Sequence, residues 1–302
     1  MRSRTPDTAA AGSLAYASLA QVVSRRLPEL CLLLALLVAL YAGIIPEMVR
    51  EWSQNENNSH GFIIPLIAAY FLWQRRGRLL DAPVAPNAAG LLVLVLGGLM
   101  LSLGYLATEY FTMRASLIVI LAGLTLALFG TQTFRVVAFP LFFLVFMIPI
   151  PMVIYNAVAF PLKLLVSNVS VWVLKAVGVV VLREGNIIML PDMVLEVADA
   201  CSGIRSLVSL LALGVAYAAV LPLRAGHRIA LVLSAIPIAI VANIIRVIVT
   251  GLLVEYVSPD AARGFFHEFA GMAVFAFALA LLLAAGALLC KTRGHSIPEG
   301  TQ

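Results

Sequence analysis

Residues 151–182, PMVIYNAVAFPLKLLVSNVSVWVLKAVGVVVL, decide how this chain is threaded. The stretch is apolar, yet Pro151 and Pro161 break it, and Lys163, Asn168 and Lys175 punctuate it. A full bilayer crossing here would invert everything downstream. Composition shows why a bilayer is the relevant solvent. Of 302 residues, 62% are apolar and only 12% charged, and the mean hydropathy is +1.03. A soluble domain carries about 25% charged residues, so this chain cannot cover a water-facing surface. A soluble enzyme, a disordered linker protein and a secreted disulfide scaffold are all excluded.

A span needs about 20 apolar residues. Working outward from 151–182, such runs fall near 28–46, 60–74, 88–107, 115–131, 136–150, 201–222, 229–254 and 270–290. The first run is long, starts late and has no small-residue cleavage site after it, so it is not a cleavable signal peptide. The net charge is +5, and the charges sit in short loops, where they set topology rather than bind nucleic acid. With 151–182 held at the outer interface, the inside segments carry twelve basic and four acidic residues. The outside segments then carry six basic and eleven acidic. That bias puts both termini in the cytoplasm. The expected fold is an all-α integral membrane helix bundle of about eight transmembrane helices, with an interfacial amphipathic segment at 151–182. A short outer β-hairpin is expected at 186–198, where two β-prone runs flank Pro191-Asp192. Residues 1–24 read as a loose cytoplasmic tail, 25–291 as one multi-span membrane domain and 292–302 as a cytoplasmic C-terminal tail.

Three features carry chemistry. A charge at membrane depth costs at least ~2.5–3.5 kcal/mol and marks function by default. Arg246 sits in IAIVANIIRVIVTGLLV, roughly 12 Å below the outer loop at 1.5 Å per residue, and Asn243 shares its helix face. Next, ADACSGIRSL places Asp199, Ser202 and Gly203 around Cys201 at the start of an apolar helix. The positive end of the helix dipole and Arg205, four residues on, both favour the thiolate, the nucleophilic form. Cys31 and Cys290 lie in or at the end of apolar runs and read as small hydrophobes. Third, GFFHEFAG puts His267 on the outer side before the last span. His227 and His295 fall on the cytoplasmic side, leaving His60 and His267 as proton-transfer groups for a thiol. Antiparallel packing of three successive spans brings Cys201, Arg246 and His267 to one end of the bundle. A nucleophile, an oxyanion-stabilising cation and an acid/base then share a face, which is the constellation of acyl transfer.

ACSGIRSL, NIIRV and HEFAG, in this order and each at a span end, resemble the exosortase/archaeosortase family, as does SHGFIIPL at 59–66. The similarity covers roughly 28–290. It implies an integral membrane cysteine peptidase or transpeptidase of the cytoplasmic membrane, with its site on the extracytoplasmic side. Its substrates would be exported proteins with a C-terminal sorting signal: a short Pro-containing motif, a transmembrane helix and a basic tail. By matching motif, Cys201 is the nucleophile, Arg246 the oxyanion or substrate-positioning residue, and His267 the acid/base. Arg205, Ser202, Asn243 and His60 are supporting residues, with His60 lining the site or exchanging roles with His267.

Rival readings remain. There is no HEXXH, but a zinc peptidase with ligands drawn from distant segments is conceivable. A transporter or export subunit would use Arg246 and Asn243 as a midplane polar site. A purely structural scaffold leaves the cost of burying Arg246 unexplained. No nucleotide-binding loop, haem motif or nucleic-acid motif occurs, so no cofactor is expected, and the sequence does not fix the oligomeric state.

Overall fold

The structure is a computed structural model that describes residues 18–197, 203–258 and 265–294. Helices dominate, and contacts group them into two compact units. The first comprises Met1–Arg50 and Ile63–Ile148, the second Glu51–Phe62 and Pro149–Gln302.

The first unit opens with α1 (Leu19–Arg25), started by a reciprocal capping box between Ser18 and Gln21. This helix occupies residues that the sequence reading gave to the loose tail. α2 (Leu27–Leu40) bends by 58° into α3 (Ile44–Gln54). At the bend, Tyr41 is fully buried, and its hydroxyl lies 2.6 Å from Ser116 Oγ. α4 (Ile63–Gln74) and α5 (Arg76–Leu80) lead to a hairpin of α6 (Ala89–Leu106) and α7 (Tyr110–Phe143). Glycines hold this hairpin close. A Cβ at Gly90, Gly97 or Gly104 would run into Ala127, Ile120 and Met113 respectively. Lipid tails are as apolar as leucine, so such small-residue contacts, rather than a hydrophobic drive, join the two helices. Glu109 caps α7, accepting from the N–H groups of Phe111 at 3.1 Å and Thr112 at 2.7 Å. Burial raises its carboxyl pKa, but the Thr112 and Phe111 bonds and the Arg114 charge outweigh that and hold it below the ordinary carboxylate value.

α7 contains a kink. Gly130 has φ +84°, outside helical space. Before it, residues 110–129 run antiparallel to α6. After it, Arg75 donates to the Val136 carbonyl at 3.3 Å and covers the Phe139 ring, while Phe71 of α4 meets Phe139 and Phe143 edge-on. The second leg therefore packs along α4, antiparallel to it. A Cβ at Gly130 would run into the Ala85 carbonyl. Gly130→Ala combines left-handed backbone strain with that overlap, so it should cost about 2–4 kcal/mol. Thermal unfolding of the purified protein in detergent checks this; an unshifted midpoint contradicts the tight packing of Gly130 on Ala85.

The second unit holds α8 (Met152–Ala176), strands β1 (Leu182–Glu184), β2 (Ile187–Met189) and β3 (Val194–Glu196), then α9 (Gly203–Val220), α10 (Ala225–Tyr256) and α11 (Phe265–Gly294). The strands form an antiparallel sheet in the order β1-β2-β3, with Ile188 opposite Leu195. The β2–β3 turn carries Pro191-Asp192, as expected; β1 is an addition. Ile188 and Leu195 point to one face and pack on Val166 and Leu174 of α8 and Val247 and Val254 of α10. α10 packs against α8, α9 and α11.

Among the described residues, five helices are long and apolar enough to cross a membrane, or six if the bent α2–α3 pair is one span. This makes the chain a multi-pass membrane protein but does not give the eight crossings read from the sequence. α4 has only 12 residues, and the runs at 115–131 and 136–150 join in α7 across the kink at Gly130. Residues 152–176, expected to lie at the interface, form a continuous helix that meets the requirement for a span. Pro161 lies inside it without ending it.

Candidate active site

Arg246 lies near the sheet end of α10, one turn before Thr250 on the same helix. The buried side of α10 carries Ala239, Ala242, Asn243, Val247, Thr250 and Gly251. Asn243, three residues before the arginine, is only 8% exposed. The arginine's Nε is buried. Its guanidinium lies flat against α11 at Gly271: a Cβ placed there would stand 3.3 Å from Nη2 and 3.5 Å from Cζ. A side chain at Gly271 would press on the cation. His267 is four residues earlier on that helix, one turn nearer the sheet end.

The helix register adds a third partner. Gly214 of α9 lies 3.7 Å from Ala235 of α10 and 3.9 Å from Leu282 of α11, measured from its ideal Cβ position. Further along, Tyr217 meets Gly286 of α11 and donates to the Leu283 carbonyl, so α9 and α11 run parallel and α10 opposes both. Eleven residues is about three helical turns. Moving eleven back from Gly214 and Leu282, and eleven forward from Ala235, reaches Gly203, Gly271 and Arg246. The first residue of α9 is thus level with the guanidinium and with the turn below His267. Cys201 precedes Gly203 by two residues in the chain.

His60 arrives from a distant segment. A 3-10 turn, Glu56–Phe62, carries it and packs on α9. Gly61 sits under the Trp52 indole, which would block a Cβ, and Trp52 meets Phe62 edge-on at 5.3 Å. Asn58 donates to Glu51 at 3.0 Å and closes the same loop. The His60 Nδ1 is buried. The SHG element is therefore a folded turn belonging to the unit that holds Arg246.

Of the residues singled out by sequence, Arg246, Asn243 and His60 stand in this unit with described side chains. The backbones of His267 and Arg205 are helical, but their side chains lie outside the described residues, as do Cys201 and Ser202 altogether. Gly271 was missed. Its signal was its place four residues after a histidine, and its reason appears only once α10 docks. Among the described residues no three His, Cys, Asp or Glu side chains gather as metal ligands.

Comparison with curated proteins and with solved structures finds no match. A family model described as transmembrane exosortase matches residues 52–284, a range that spans the SHG turn, the sheet, α9, α10 and the part of α11 with His267 and Gly271. The chain belongs to the transmembrane exosortase family.

Proposed function

We propose that this protein is a membrane cysteine transpeptidase or peptidase that removes the C-terminal sorting signal from exported proteins at the extracytoplasmic face of the cytoplasmic membrane. The observation that carries the reading is the contact of Arg246 with Gly271, one turn from His267 and level with the start of α9. Basic residues support the side: Arg224, Arg228 and Lys291 lie at the end of α9, α10 and α11 away from the sheet, against Lys175 and Arg183 at the sheet end.

The substrate's apolar helix enters from the bilayer and brings its scissile peptide to the sheet end. The Cys201 thiolate adds to the carbonyl carbon and forms a C–S bond. Arg246, held in a low-dielectric helix interface, stabilises the oxyanion. The C–N bond then breaks, and His267 gives its proton to the departing amine. Water, or an amine or hydroxyl of an envelope molecule, next loses a proton to His267 and attacks the thioester. The thiolate leaves, and the enzyme is restored. Ser202, Arg205, Asn243 and His60 orient these groups.

Co-expression with a candidate tailed substrate tests the reading. Mass spectrometry of the new C-terminus should show cleavage before the apolar helix, free or joined to an acceptor. Alkylation of Cys201 should block it. If an alkylated protein still processes the substrate, the thiol mechanism fails; if the unmodified protein cleaves no tailed substrate, a transport role built on Arg246 and Asn243 gains ground.

A further inference from the structure

One end of the first unit gathers arginines from separate elements. α1 ends in Arg25 and is followed by Arg26, α5 carries Arg76 and Arg78, and Arg135 comes just after the kink at Gly130. The fold brings them together. α1 packs on α5, α5 packs on α7, and strand-type bridges link Ser18 to Pro83 and Ala85 to Gly130. All five side chains are exposed. Arg75 is different, since it turns inward to Val136 and Phe139.

Little carboxylate balances them. Glu29 stands 3.9 Å from Arg26, and Asp81 is nearby in sequence. Arg25, Arg78 and Arg135 make no ion pair among the described residues. Apolar and aromatic surface begins at the same level. Leu27, Leu80, Tyr70 and Trp73 are exposed, and Arg76 lies 4.4 Å over the Trp73 ring. Exposed tryptophan and tyrosine sit at headgroup depth in membrane proteins, which fixes the arginines at the level of lipid phosphates.

We propose that this arginine end binds anionic phospholipid headgroups. The guanidinium forks match phosphate geometry, Trp73 and Tyr70 seat in the interface, and the adjoining leucines meet the acyl chains. A soluble polyanion would meet the charges but leave that apolar rim uncovered. The proposal is independent of the chemistry at Cys201.

Native mass spectrometry of the detergent-purified protein tests it, with phosphatidylglycerol and phosphatidylcholine of identical acyl chains in competition. The wild type should retain phosphatidylglycerol at least about tenfold over phosphatidylcholine, since one basic residue near an anionic surface is worth about fivefold. The Arg76→Gln/Arg78→Gln/Arg135→Gln variant should bring the ratio close to one, while Arg78→Lys, which keeps the charge, should preserve most of it. Inorganic phosphate at equal anion concentration should not raise the thermal midpoint of the wild type, whereas phosphatidylglycerol should. Equal retention of the two lipids by the wild type overturns the proposal, as does an unchanged ratio in the triple variant. A phosphate effect as large as the lipid effect overturns it too. If the triple variant does not fold, the two wild-type comparisons decide alone.

Discussion

Cys201→Ala will leave a tailed substrate uncleaved in the membrane, with turnover reduced by more than about 10⁴-fold, because loss of a covalent nucleophile removes the reaction path rather than tuning it. Cys201→Ser keeps an oxygen nucleophile but loses the thiolate that the helix end and Arg205 would stabilise near neutral pH, so it should be almost as inactive. Cys31→Ala and Cys290→Ala remove the other two sulfurs of the chain and should cleave normally. The measurement is the ratio of precursor to mature substrate on co-expression, with membrane levels of each variant checked by immunoblot. Normal processing by a well-expressed Cys201→Ala protein excludes covalent catalysis at this residue.

Arg246→Ala should lower turnover by about 10²–10³-fold, the loss seen when one preorganised oxyanion donor is removed. Gly271 gives a graded series at the same contact. A methyl at 3.3–3.5 Å from the guanidinium requires a shift of a few tenths of an ångström, so Gly271→Ala should cost less than about tenfold. Gly271→Leu drives the guanidinium off α11 and should approach Arg246→Ala, since a misplacement near 1 Å can cost about 10²-fold. Arg246→Lys keeps the charge without the planar fork and should fall between the two. All of these variants should retain alkylation at Cys201. If Gly271→Leu cleaves at the wild-type rate, the guanidinium does not act from the α11 surface.

Much of this was legible in the sequence, and the misses have physical causes. Hydropathy found α6, α10 and α11 because each is a long unbroken apolar helix. The β2–β3 turn was legible from Pro191-Asp192 between β-prone runs. β1 was hidden because Leu182 closes the apolar run 151–182 and reads as its continuation. Pro161 suggested a broken segment, yet α8 passes through it, as membrane helices often do when neighbouring groups satisfy the freed carbonyl. The kink at Gly130 falls where the reading separated two runs, but the left-handed backbone that bends the helix there is not a property hydropathy can see. At the site, the cost of burying a charge pointed to Arg246, whereas Gly271 has no chemistry of its own. It matters only because another helix needs the space.

The turn that bears His60 lies between parts of the first unit in sequence but packs on α9, made roughly 150 residues later. At synthesis rates of about 5–20 residues per second, it waits on the order of ten to thirty seconds for its partner to leave the ribosome. The first unit can assemble during that interval, while Trp52 and Phe62 keep the turn's aromatic side folded on itself. Chemical competence therefore arrives late in biogenesis, after the helices that come first have already entered the lipid.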